Sequence, residues 1–215
     1  MNCKWNGGVW SLPLLGLACA APQRQLTDAD YPGRLQPPAA LGIEVVWQQR
    51  VTASWGEGEQ RGFEAALQRQ GDELKVIGIS PLGQVGFVLI QRPDGVTFEN
   101  RTDMQLPFPP RFVLLDVQRT FFPWLPADPA LRDGERSAVV DGELVTERYR
   151  DGRLRERTFS RCSGQPAGVI RITYDWDAAQ PLLHAPRQAV LTNGWFQYRL
   201  TIDTHVETVL PPGGS

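Results

Sequence analysis

Glu73 to Arg101, ELKVIGISPLGQVGFVLIQRPDGVTFENR, is the stretch whose reading decides the fold. It reads as three strands, Glu73 to Ile79, Gln84 to Gln91 and Val96 to Arg101, parted by Pro81-Leu82-Gly83 and Pro93-Asp94-Gly95. In the middle strand Val85, Phe87 and Leu89 alternate with Gly86, Val88 and Ile90. Both faces are therefore apolar, and both need cover from a helix, a ligand or a partner.

The same rhythm extends outward. Upstream, Leu41 to Trp55 and Arg61 to Gln70 form a hairpin around Gly56-Glu57-Gly58-Glu59, with Phe63, Ala65 and Leu67 alternating against polar neighbours. Gly71-Asp72 then turns the chain into Glu73. Downstream, Leu144 to Arg150 and Leu154 to Ser160 flank Asp151-Gly152, Val169 to Trp176 is a further strand, and Ala189 to Thr192 and Trp195 to Val206 flank Asn193-Gly194. Both dipeptides favour tight primed turns. About ten strands with short connections predict a mainly β fold with minor helix, of the α+β kind. A single antiparallel sheet of that length must curl into a half-open barrel, because a long flat sheet leaves hazardous edges.

One segment breaks the rhythm. Pro109-Pro110 introduces Arg111 to Phe122, where Asp116, Arg119 and Thr120 form a polar stripe while Phe112, Val113, Leu115, Val117, Phe121 and Phe122 cover most of the rest. This predicts a helix, stopped by Pro123, that is too apolar to lie on a surface. It is either an ordinary core helix or a lid or plug over an apolar cavity.

At the amino terminus Lys4 supplies a thin positive region and Val9 to Leu17 a short apolar run, about half the roughly 20 residues a spanning helix needs. Residues 1–18 read as an export signal. Leu17-Ala18-Cys19 resembles the bacterial lipobox, which makes Cys19 the acylated first residue of a mature envelope protein; the alternative is a plain secretory signal cut near Ala18 or Ala21. Residues 19–40, punctuated by Pro22, Pro32, Pro37 and Pro38, read as a lipidated start and flexible tether. Residues 41–210 form the β domain, and 211–215 a disordered tail.

The formal net charge of -2, with acids and bases interspersed, gives no nucleic-acid footprint. With Cys3 removed and Cys19 acylated, Cys162 stands alone, so no disulfide framework forms. The search for chemistry is nearly empty. His184 and His205 are the only histidines and no acidic or cysteine cluster has metal-ligand spacing. Gly78-Ile79-Ser80 starts like a nucleophile elbow, but Pro81 follows and no helix does. Asp28-Ala29-Asp30 and Asp175-Trp176-Asp177 are paired carboxylates in solvated settings. No catalytic group, cofactor or metal is expected. What remains is apolar surplus: Trp47, Trp55, Trp124, Trp176 and Trp195, with nine phenylalanines in the chain, either fill the interior or line a ligand cavity.

Three stretches resemble the LolA/LolB-like lipoprotein carriers, the outer-membrane lipoprotein receptors especially. They are Trp47-Gln48-Gln49-Arg50 on the first strand, the Ser80-Pro81-Leu82-Gly83 loop, and the final hairpin from Pro186 through Asn193-Gly194 to Ile202. The pattern also resembles an uncharacterised family of envelope lipoproteins, some encoded beside aryl-polyene pigment genes. The resemblance implies a half-open β-barrel, lidded by helices, with an apolar concave face that holds acyl chains. It implies that Leu82 protrudes and assists membrane insertion of cargo, and that Arg50 contacts the lid. The chain departs from the family in Gly152 to Gly168 and in carrying one firm helix instead of several.

The expected ligand-binding or lid residues are Trp47, Arg50, Phe63, Phe87 and Leu89 on strands, with Phe112, Leu115 and Trp124 on or just after the helix. The expected function is a lipid-anchored, non-enzymatic carrier or receptor on the periplasmic face of the outer membrane. Its partners would be the membrane, through the N-terminal lipid, and an apolar cargo: lipoprotein acyl chains, a lipid or a polyene-type metabolite. The alternatives are an accessory subunit docking on an envelope export complex and, third, a lipid-directed hydrolase.

Overall fold

A computed structural model describes residues 27, 30–56, 58–101, 109–162, 166–176 and 184–211. The export signal, Cys19 and residues 212–215 lie outside the described residues. Eleven strands form one sheet: β1 Val45–Trp55, β2 Glu59–Gln70, β3 Glu73–Ile79, β4 Val85–Arg92, β5 Gly95–Asn100, β6 Gly134–Val140, β7 Glu143–Arg150, β8 Arg153–Arg161, β9 Val169–Asp175, β10 Gln188–Asn193 and β11 Tyr198–Val209. The order across the sheet is β5-β4-β3-β2-β1-β11-β10-β9-β8-β7-β6, every neighbour antiparallel.

That order has a topological consequence. The two free edges, β5 and β6, are consecutive in sequence, and the connection between them carries the one α-helix among the described residues, α1 (Pro110–Phe121). The chain must therefore cross from one rim of the sheet to the other, and an apolar helix on that crossing is drawn into the hollow of the curl. Register shifts at Gln48/Gln49, Gly78/Ile79 and Arg148/Tyr149 help the sheet bend. The predicted curled, unclosed sheet with a plug helix is the observed architecture. Among the described residues no helix is long and apolar enough to cross a membrane.

The Asp151-Gly152 turn forms as predicted, a two-residue loop with φ of 55° and 71° joining the paired residues Arg150 and Arg153. Asn193-Gly194 does not. Asn193 pairs with Tyr198, and its Oδ1 accepts the backbone N–H groups of Trp195 and Phe196, each at 3.0 Å, so residues 194–197 make a longer side-chain-capped loop. Strand β11 accordingly begins at Tyr198 rather than Trp195, and both aromatics are freed to pack on Tyr31. Strand β6 was not expected at all.

The predicted tether over residues 19–40 also needs correction. From Asp30 onward the chain is folded: Tyr31 and Pro38 are buried, Pro38–Leu41 is a short 3-10 turn, and the stretch runs along α1 before entering β1. Hydrogen bonds to the helix hold it there, a mechanism its low apolar content does not advertise.

Candidate functional site

A cavity of about 530 Å³ lies between α1 and the concave face of β1 to β4 with β11. Strand alternation builds its walls. Gln49, Val51, Ala53 and Trp55 of β1, Arg61, Phe63, Ala65 and Leu67 of β2, and Tyr198, Leu200 and Ile202 of β11 all point inward at every second position. The helix contributes Phe112, Val113, Asp116, Val117 and Phe121, one face at helical spacing. Gly78 shapes the far wall: a Cβ there would lie 2.1 Å from the Phe87 ring, so only glycine lets that ring lie across β3. The volume falls within the roughly 300–1,000 Å³ typical of small-molecule pockets.

Strand register places the mouth. Trp55 and Arg61 at the β1–β2 end, Pro81 of the β3–β4 loop and Tyr198 at the start of β11 all lie at one end of the sheet. Arg61, Gly62 and Pro81 are exposed there. Leu82, beside Pro81, is 85% exposed. The inner end is closed by Leu67, Val76 and Phe121, whose ring packs on Trp47 with centroids 5.1 Å apart. Phe121 also borders a second, more polar hollow lined by Arg136, Glu147, Tyr149, Arg157 and Tyr174. Over the other half of the sheet the concave face is filled, with Val145, Phe159, Ile170, Ile172 and Leu191 buried around Phe112, Leu115 and Trp124.

The polar stripe of α1 is buried too, and each member has a dedicated partner. Tyr31 Oη and Tyr198 Oη donate to the two carboxylate oxygens of Asp116, and Asn193 Nδ2 donates to both phenol oxygens at 2.8 and 2.9 Å. Gln118 exchanges hydrogen bonds with the Gln36 backbone at 2.8 and 2.9 Å and donates to Gln91 Oε1 at 2.8 Å. Arg119 pairs with Glu143 at 2.9 Å and donates to Pro32 O at 2.7 Å. The carbonyls of Arg119 and Phe122 at the helix C-terminus accept from Arg157 Nη1 at 2.7 and 2.9 Å. These contacts tie α1 to β4, β7, β8, β11 and residues 31–36, so the helix is a fixed plug rather than a free lid.

Burial pushes the Asp116 carboxyl up to about 6, against the opposing pull of the Tyr198 and Tyr31 hydroxyls and Arg119. Burial and the nearby Asp116 hold the Tyr31 and Tyr198 phenols well above their usual range. Burial likewise opposes ionisation of Glu147, but Arg157 and Arg136 outweigh it and hold that carboxyl low. Among the described residues no group of three or more His, Cys, Asp or Glu side chains could hold a metal ion.

Of the residues singled out from sequence, Phe63, Phe87 and Phe112 come together on the cavity wall. Trp47, Leu89, Leu115 and Trp124 are buried in the packed core beside it. Arg50 is on the opposite, convex face, where its Nε donates to Glu64 at 2.9 Å, and it touches no part of α1. Sequence reading did not assign Arg61, Val113, Asp116, Val117 or Tyr198 to a binding site. Arg61 was findable, since it sits in phase with Phe63, Ala65 and Leu67. Cys162 is exposed and carries a free thiol.

Solved structures similar to this chain include a LolA superfamily protein from Nitrosomonas europaea, at 10% identity and a TM-score of 0.47, covering 81% of this chain and 91% of that one. A Vibrio parahaemolyticus domain assigned to outer membrane lipoprotein sorting matches at 14% identity and a TM-score of 0.45, over 78% of this chain and 85% of that one. Lipoprotein LppX of Mycobacterium tuberculosis matches at 11% identity and a TM-score of 0.29, over 78% and 87%. The aryl-polyene association finds no support in these likenesses. No curated protein matches. The family model described as "Protein of unknown function (DUF3261)" matches residues 46–206.

Proposed function

We propose that this chain, which belongs to the DUF3261 family, is a lipid-anchored envelope carrier or receptor that holds an apolar cargo between α1 and the concave face of its sheet. One observation carries the reading. An apolar-walled cavity of about 530 Å³ remains beneath a helix that is otherwise packed on every side, and it opens at an exposed rim. Apolar walls that face water at such a rim gain roughly 25 cal/mol for each Å² that an apolar occupant covers, which supports a cargo of that character.

Transfer of cargo from water into this space contributes roughly 0.8 kcal/mol per methylene. Translational and ordering costs then take several kcal/mol back. In this reading Cys19 carries the lipid, the domain faces the periplasm from the outer membrane, and Leu82 enters lipid when cargo is exchanged. Native mass spectrometry and solvent extraction of the chain isolated from its own envelope test the central claim. The expected result is a stoichiometric apolar adduct that is lost on organic extraction. Reproducible isolation without any adduct, together with failure to take up long-chain alcohols or acids, would sink the carrier reading.

A further inference from the structure

We propose that the cargo is a single-chain amphiphile with an anionic head, its chain in the cavity and its head on Arg61 at the rim. This rests on the carrier reading above and narrows it. Volume sets the number of chains. A cavity of about 530 Å³ lies in the lower half of the roughly 300–1,000 Å³ span of small-ligand sites, a size that suits one long acyl chain rather than several. Two or three chains need two or three times the space. The cavity cannot gain it by lifting α1, because Asp116, Gln118 and Arg119 are tied by buried hydrogen bonds to Tyr31, Tyr198, Gln36, Gln91 and Glu143.

Charge sets the head. Among the described residues two charged side chains line the cavity, Arg61 and Asp116. Both oxygens of Asp116 already accept phenol hydroxyls, so it asks for no cation. Arg61 is different. It stands on the inner face of β2 in phase with Phe63 and Ala65, and its guanidinium lies over the Trp55 ring, 5.6 Å from the centroid. Among the described residues it makes no ion pair, Glu59 on the same face included. An inward-facing, solvated arginine on an aromatic platform at the lip of an apolar slot matches a carboxylate or phosphate, and the rigid fork of guanidinium donors suits either.

Calorimetric titration of the full chain with hexadecanoate, hexadecyl phosphate, hexadecanol and dihexadecanoyl phosphatidate tests this. Hexadecanoate and hexadecyl phosphate should bind one to one, each about tenfold more tightly than hexadecanol, as expected for one charge-assisted contact at a wet rim. A preference between the two anions identifies the head. Arg61→Gln should abolish the advantage of the anions while leaving hexadecanol binding unchanged, Arg61→Lys should retain part of it, and the two-chain phosphatidate should not displace hexadecanoate. Equal binding of hexadecanol and hexadecanoate, or loss of both in Arg61→Gln, overturns the head assignment. Displacement by phosphatidate overturns the single chain. Binding of phosphatidate alone overturns this inference and leaves the carrier reading standing, whereas the carrier reading falls with it if none of the four compounds binds and the isolated chain holds no apolar adduct.

Discussion

Asp116 is buried against two phenols and an arginine, and burial raises its carboxyl from 3.8 to about 6. Because the folded state keeps a proton here that the unfolded chain releases, this group's stabilisation is fully present below 3.8 and is lost as pH climbs through about 6. The rise corresponds to about 3 kcal/mol. Denaturant unfolding of wild type and Asp116→Asn between about pH 4 and 7 isolates it: the wild-type advantage should fall by that order as pH rises to about 6 and then stay level. A difference independent of pH would mean that Asp116 is ionised throughout. The sequence shows Asp116, Arg119 and Thr120 as a polar stripe, but not where the stripe faces. Its partners Tyr31 and Gln36 come from a proline-rich stretch that composition marks as tether, and a hydrogen bond across some 80 residues leaves no periodic trace.

At the scale of elements, α1 is held by the buried side chains of Phe112, Leu114 and Leu115 and by an ion pair that crosses to the sheet. Arg119 is wholly buried, with its guanidinium 4.6, 5.1 and 5.3 Å from the ring centroids of Tyr31, Trp195 and Phe159. Glu143 of β7 is its single acidic partner at ion-pair distance among the described residues. Glu143→Ala leaves the buried cation its three rings and the Pro32 carbonyl but no ion-pair partner, and urea unfolding should report a loss of about 3–5 kcal/mol. Pairing it with Arg119→Leu should restore much of that loss, because no charge then remains to be desolvated. A single-variant loss below about 1 kcal/mol would show that water reaches the pair. The strands that face this helix were readable from alternation and Asp-Gly turns. Strand β6 was not: GERSAVV is an edge strand exposed along most of its length, so no buried face imposes a period of two. Its one signal was Asp141-Gly142, a turn with φ of 50° and 80° like that of Asp151-Gly152.

For the whole molecule, the entry point of the chain and the mouth of the cavity coincide. Tyr31 packs on Trp195 and Phe196 of the β10–β11 loop, at the end of the sheet where Trp55, Arg61 and Pro81 open the cavity. The chain from Cys19 to Asp30 reaches at most about 40 Å when extended. In the proposed anchoring, a lipid on Cys19 would keep the mouth within about that distance of the membrane surface, and among the described residues Leu82 is the large apolar side chain most exposed at that end. Leu82→Glu should leave stability within about 0.5 kcal/mol, since the side chain is 85% exposed. It should also leave uptake of hexadecanoate unchanged, yet slow transfer from loaded protein to anionic or neutral liposomes, because a charged tip is costly to bring into lipid. Equal slowing by Cys19→Ser, accompanied by loss of palmitate labelling, would place anchor and loop on one path. Transfer at the wild-type rate by a folded, loaded Leu82→Glu variant would leave Leu82 as a turn residue that never meets the bilayer.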